Sequence, residues 1–244
     1  MAATLSEEAR SDRASELGAN LARVRERVAA ASASAGRDPS EVTIVVVTKT
    51  RPSSDVRILA RLGVRDVGEN RDQEAHTKAA ECADLGLRWH FVGQVQTNKA
   101  RSVATYADVV HSVDRERLVE ALSEAAEARQ RVVRCLVQVV LGTEPGVLGP
   151  RAGIAPRHAA GLADAIAAAP GLELAGVMGV APLGAEPAPA FARLAEVADV
   201  VRSRHPGATI ISAGMSGDLE AAIRAGATHV RVGTAVLGAR PPLR

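Results

Sequence analysis

Val42-Thr43-Ile44-Val45-Val46-Val47-Thr48 is an unbroken β-branched run without apolar and polar alternation. That pattern suits a strand buried on both faces, as in a parallel sheet. Upstream, Leu17, Leu21, Val24 and Val28 recur at helical spacing, with Arg23, Arg25, Glu26 and Arg27 on the other faces. Residues from about 7 to 35 therefore predict one long amphipathic helix, which Gly36 and Pro39 stop. Downstream, Pro52 opens a second helix and Gly63 closes it. The same beat then repeats to the end of the chain.

Strands are predicted at 42–48, 64–67, 88–92, 108–111, 132–140, 172–178, 209–212 and 228–232. Helical patterns separate them at 53–62, 71–84, 95–104, 114–129, 156–168, 188–204 and 216–225. Parallel strands need such crossovers, and eight of them can close into a barrel that has no edges. An open doubly wound sheet would show a glycine fingerprint after its first strand, and neither GxGxxG nor GxxxxGK[ST] is present. The reading is α/β: a (β/α)8 TIM-like barrel with an extra N-terminal helix, residues 1–244 forming a single domain. The longest loops are expected at Leu141 to Pro156 and Pro182 to Pro189.

Composition narrows the function classes. Of 244 residues, 47% are apolar and 24% charged, which fits an ordered chain with a sizeable core. A net charge of +2 is too small to argue for nucleic acid or a membrane surface, and four aromatic residues leave few stacking platforms. Cys82 and Cys135 have no metal-ligand spacing and no disulfide framework around them, which fits a reducing cytoplasm. No stretch approaches the roughly 18 apolar residues of a membrane span, and the N-terminus has no leader-like apolar region. The expectation is a cytoplasmic protein with no metal, nucleic-acid or membrane partner.

In a barrel, chemistry gathers where strands end. The first strand ends at Lys49, which either snorkels to solvent or sits in a partly dry pocket where a neutral amine can form a Schiff base. The second ends at Gly68-Glu69-Asn70, where Asn70 is either a helix N-cap or a group facing the site. His90, within Trp89-His90-Phe91, reads as a hydrogen-bonded core histidine, and His111 either caps the helix near Arg115 or lines the site. Ser212-Ala213-Gly214-Met215-Ser216-Gly217 and Arg231-Val232-Gly233-Thr234 each lead from a strand into a helix. They supply small residues, hydroxyls and a positive helix end, the makings of a phosphate site, or else two ordinary capped turns. Strand alternation puts Arg231 and Gly233 on the inner side and Val230 and Val232 on the outer. A buried guanidinium keeps its protons, so a heterocyclic nitrogen facing it must be an acceptor. An imine-forming lysine, a phosphate cradle and an arginine for a ring nitrogen together describe pyridoxal 5'-phosphate.

At these residues the chain resembles the pyridoxal phosphate homeostasis protein family, single-domain relatives of the alanine racemase N-terminal barrel. The matching string is Val47-Thr48-Lys49-Thr50, Gly68-Glu69-Asn70, Trp89-His90-Phe91-Val92-Gly93 and His111-Ser112-Val113-Asp114-Arg115. It continues through Gly176-Val177-Met178 and Ser212-Ala213-Gly214-Met215-Ser216 to Arg231-Val232-Gly233-Thr234 and Gly238-Ala239-Arg240. The resemblance implies a fold-type III barrel holding the cofactor as a Lys49 aldimine. It implies phosphate contacts at Met215, Ser216, Gly233 and Thr234, Arg231 at the pyridine nitrogen, and Asn70 and Met178 around the ring. It also implies a role in vitamin B6 homeostasis, delivery to PLP-dependent apoenzymes, and a monomer or weak dimer. Three positions depart from the family pattern: Arg51 stands for a lysine, Val140 for an asparagine, and Val147 near a basic residue.

No second acid/base group is visible, because the only tyrosine, Tyr106, precedes the fourth strand and belongs near the amino face. The expectation is therefore a cofactor-binding protein with no assigned catalytic residue. The alternatives are a PLP-dependent racemase-like enzyme and a cofactor-free Schiff-base barrel enzyme that uses Lys49 as its nucleophile.

Overall fold

The computed structural model describes residues 7–142 and 153–239. Its eight strands are β1 (Thr43–Val47), β2 (Asp66–Glu69), β3 (Arg88–Phe91), β4 (Val109–Val113), β5 (Val133–Val139), β6 (Leu172–Gly179), β7 (Ile210–Ser212) and β8 (His229–Val232). They form a closed barrel in chain order. All ladders are parallel, and β1 closes on β8 through Thr43 opposite His229 and Val45 opposite Arg231.

The helices are α1 (Glu7–Ser34), α2 (Ser53–Arg61), α3 (Asp72–Glu81), α4 (Ala100–Tyr106), α5 (Glu116–Glu127), α6 (Ala159–Ala168), α7 (Pro187–Arg204), α8 (Leu219–Arg224) and α9 (Thr234–Leu237). The last is a single turn, too short to cover the seam between β8 and β1, and α1 packs against α2, α8 and α9 there. Leu17, Leu21, Val24 and Val28 are all buried, so the apolar stripe read from the sequence is the face that docks. Arg13 grips Asp55 through Nε and Nη2, and Asn20 Nδ2 donates to the Val236 carbonyl at 2.8 Å, tying the added helix to both flanks.

Strand alternation sorts the barrel into two cores. Val46, Val67, Val230 and Val232 face outward into the large core beneath the helices. Leu136, Ala175, Met178 and Ile210 form a separate cluster inside the barrel. The fourth strand runs two residues beyond its predicted end, with a register shift between Val110 and Val113, so His111 is a strand residue and not a cap. Helix α5 is instead entered through Arg115. Of the long loop expected at Leu141 to Pro156, residues 143 to 152 lie outside the described residues, as do Val147 and Arg240.

Candidate functional site

A cavity of about 350 Å³ opens at the carboxyl end of the barrel, lined by residues from the ends of β1, β2, β3, β6, β7 and β8. Lys49, Asn70, Met178, Met215, Ser216, Arg231, Gly233 and Thr234 all line it. Arg51 joins them, and the described lining holds three cationic side chains and no carboxylate. Sequence reading assigned Arg51 no role; its Nη2 donates to the carbonyls of Gly238 and Ala239, so it fastens the exit of α9 to the rim.

Lys49 is held by its neighbours. Thr48 is fully buried, its Oγ1 donating to Glu69 Oε1 at 2.5 Å, and its carbonyl accepts from Lys78 Nζ at 2.7 Å. The Thr50 N–H donates to Glu74 Oε1, and Thr50 adopts a left-handed φ of 64°. Lys78 Nζ also reaches Glu69 Oε1 at 2.7 Å and Glu74 Oε1 at 2.6 Å, so one buried ammonium gathers both carboxylates that fix the chain around Lys49. Burial raises the Glu69 pKa above its usual value, outweighing the attraction of Lys78. In the sequence Glu69 figures only as part of the Gly68-Glu69-Asn70 turn, and Glu74 and Lys78 were not singled out, since an i, i+4 pair of that kind is ordinarily an exposed helix pair.

Asn70 is not a cap. Helix α3 begins after Arg71, which makes no side-chain capping bond, and Asn70 faces the cavity. A Cβ on Gly93 would lie 2.1 Å from the Asn70 carbonyl oxygen, so only glycine lets the end of β3 approach there. Ser112 Oγ donates to the Gly93 carbonyl at 2.5 Å and locks the contact. Gly93→Ala is expected to displace Asn70 and cost about 2–3 kcal/mol of overpacking strain, lowering Tm by about 5–10 °C. A melt superimposable on the parent's would show that the two segments part freely.

The two loops after β7 and β8 meet. Ser216 Oγ accepts from the Ala235 N–H at 3.3 Å and from Thr234 Oγ1 at 3.4 Å, so one hydroxyl joins both turns. Gly214 has φ +86°, and a Cβ there would lie 2.6 Å from Ala222 Cβ, which lets the loop fold onto α8. The Met215 N–H donates to Asp218 Oδ1 at 2.6 Å, so Met215 lines the mouth while its amide is already engaged.

Arg231 points inward and is buried. Nη1 donates to Ser212 Oγ at 2.6 Å and Nη2 to the Gly179 carbonyl at 3.0 Å, both neutral acceptors. Burial pushes its pKa down to about 10, against the pull of Asp218, which leaves the guanidinium charged at neutral pH. A buried cation without a carboxylate against it favours a ligand that brings an acceptor or a negative charge.

His90 and His111 are interior residues of the barrel. Nδ1 of His90 lies 2.8 Å from Nε2 of His111, and Nε2 of His90 lies 2.9 Å from Asp66 Oδ1. Neither lines the mouth cavity. Burial drives the His111 pKa well below its ordinary value and brings His229 to about 4. An unfolded chain takes up these protons near pH 6.5 and the folded chain does not, so stability is full above that pH and declines toward pH 4. Tm is expected to fall by on the order of 10 °C between pH 7 and about 4.5, and a flat profile would contradict two buried neutral rings.

Tyr106 Oη donates to Asp72 Oδ1 at 3.2 Å and lies outside the mouth lining. Lys99 is 3.7 Å from Asp72 Oδ2 and lines a neighbouring cavity that also touches Asn70. Val140 donates its N–H to the Ile154 carbonyl at 3.0 Å and lies outside the mouth lining as well. Cys82 and Cys135 are buried and unpaired as thiols, and no group of three metal-ligating side chains lies among the described residues. Among those residues, too, no helix is long and apolar enough to cross a membrane.

The model of the alanine racemase N-terminal domain family matches residues 19–241. The pyridoxal phosphate homeostasis protein of Mycobacterium tuberculosis is 46% identical, the alignment covering 98% of each chain. The protein of the same name from Pseudomonas aeruginosa is 42% identical over 93% of this chain and 96% of its own. The structure of PipY of Synechococcus elongatus PCC7942, with PLP bound, superposes with a TM-score of 0.77 at 32% identity, covering 91% of this chain and all of PipY.

Proposed function

This chain belongs to the alanine racemase N-terminal domain family and, within it, to the pyridoxal phosphate homeostasis proteins, and from that premise we propose that its barrel mouth binds pyridoxal 5'-phosphate. Its role is to hold that cofactor for intracellular vitamin B6 balance. The supporting observation is the lining: Lys49, Arg51 and Arg231 with no carboxylate among the described wall residues, around a space of about 350 Å³. An anionic ligand with an aldehyde and a ring acceptor fits that donor set.

In this reading Lys49 supplies the amine that engages the aldehyde. Ser216, Gly233 and Thr234 bind the phosphate through hydroxyl and backbone groups, with Met215 against it, and Arg231 donates to the ring nitrogen. Asn70 and Met178 flank the ring. When bound, the cofactor supplies an electrophilic carbon and a ring able to accept electron density. An arginine at the ring nitrogen donates a hydrogen bond without transferring a proton, which weakens the ring as an electron sink and favours storage over turnover. Handing the cofactor to PLP-dependent apoenzymes in the cytoplasm, as a monomer or weak dimer, completes the proposal.

Titration of the purified chain with pyridoxal 5'-phosphate should produce a saturable visible band. Borohydride should then fix one cofactor per chain, and peptide mass spectrometry should find it on Lys49. A chain that stays colourless, or carries the mark on Lys99, would overturn the assignment.

A further inference from the structure

Five side chains linked by four hydrogen bonds join the mouth to the opposite face of the barrel. Arg231 Nη1 is 2.6 Å from Ser212 Oγ, Ser212 Oγ is 2.9 Å from His111 Nδ1, His111 Nε2 is 2.8 Å from His90 Nδ1, and His90 Nε2 is 2.9 Å from Asp66 Oδ1. Ser212 and His111 are fully buried and His90 nearly so. Asp66 opens β2 and lines a second cavity with Arg65 and Arg88, away from the mouth.

The donor directions can be worked out from the two ends. A guanidinium has only donors, so Ser212 Oγ must accept from Arg231. At the far end, hydrogen bonds from His90 and Arg88 overcome the effect of burial and hold the Asp66 pKa at about 2, so it is an acceptor only. For neutral rings this puts the His90 proton on Nε2, makes His90 Nδ1 accept from His111 Nε2 and leaves His111 Nδ1 bare. The serine's own hydrogen therefore goes to its other neighbour, His111 Nδ1. His229, whose ring centroid lies 6.1 Å from that of His90, is the third imidazole against this chain, and burial keeps it neutral at pH 7.

We propose that Ser212, His111, His90 and Asp66 form a one-way hydrogen-bond relay that aims Arg231 at the mouth and commits it to donate. Every hydrogen in the relay points away from the ligand, so among the described residues the only hydrogens the inner floor offers are those of a guanidinium, which are not released. Such a floor selects an aromatic ring nitrogen bearing a lone pair over a protonated one. These four are positioning residues for the site, and the idea deepens the cofactor reading, on which the identity of the ligand rests.

The ring-proton pattern can be measured on the full chain without cofactor, so the relay and the cofactor reading fail separately. Long-range nitrogen–proton NMR of histidine-labelled protein at neutral pH should show His90 and His111 both neutral with the proton on Nε2. A proton on Nδ1 of either ring, or a cationic ring, would overturn the relay. Ser212→Ala should shift the His111 Nδ1 resonance and weaken pyridoxal 5'-phosphate binding on the order of tenfold, with Ser212→Thr restoring both. If Ser212→Ala binds as tightly as the parent, Arg231 is aimed without the relay and the proposal is wrong.

Discussion

Lys49→Ala is expected to abolish the borohydride-fixed cofactor and the visible band, and to weaken the remaining non-covalent binding by about tenfold or more, equivalent to about 1.4 kcal/mol. The reason is placement. Lys49 follows a buried strand and lines the same cavity as Arg231, Ser216 and Thr234, while Lys99, the other lysine near Asn70, lines a different one. The phosphate and ring contacts proposed for the other lining residues do not involve Lys49, so binding should persist in weakened form rather than vanish. Lys49→Arg separates charge from nucleophilicity, since it keeps the cation but a guanidinium does not attack a carbonyl under these conditions. Both variants should therefore lack the covalent mark, with Lys49→Arg retaining more of the anion affinity. A stoichiometric mark on either variant would place the reactive amine elsewhere.

Much of the barrel was legible because each strand carries its own signal. The β-branched run at Thr43–Val47 and the glycine-bounded turns after β7 and β8 identify buried parallel strands and their cavity-lining ends without reference to one another. Arg231 was legible as well, because alternation along Val230-Arg231-Val232 leaves one inward direction for a charged side chain. The lower half of the site was not. Asp66, His90, His111 and Ser212 come from four strands, and nothing local in Trp89-His90-Phe91 says that the ring meets another histidine 21 positions on. His111 was harder still, because a register irregularity in β4 extends the strand past the point where its apolar pattern stops. Long-range polar chains of this kind depend on barrel closure, which sequence periodicity signals only as a count of strands.

The support of Lys49 was hidden for a related reason, and it leads to the second large effect. Lys78→Met is expected to cost about 3–5 kcal/mol and to lower Tm by about 10 °C or more. The Lys78 side chain is 6% exposed and the Glu69 side chain 1%, so removing the ammonium leaves a carboxylate with almost no water to replace it. Glu69 Oε2 already lacks a partner among the described residues. Because burial raises the Glu69 pKa, the sign of the pH dependence is fixed: a raised carboxyl favours the fold while protonated and loses that contribution as pH climbs through its folded value. The deficit of Lys78→Met should therefore be larger at pH 8 than at pH 5, opposite in direction to the acid loss expected from His111 and His229. Adding Glu69→Gln should recover most of the stability, since a neutral amide needs no counter-ion. It should not recover full cofactor binding, because the Thr48 carbonyl and Glu74 still lose the ammonium that holds the chain around Lys49. Calorimetry at the two pH values with a cofactor titration of both variants measures each part, and equal deficits at pH 5 and pH 8 would mean that the Glu69 charge does not control this clamp.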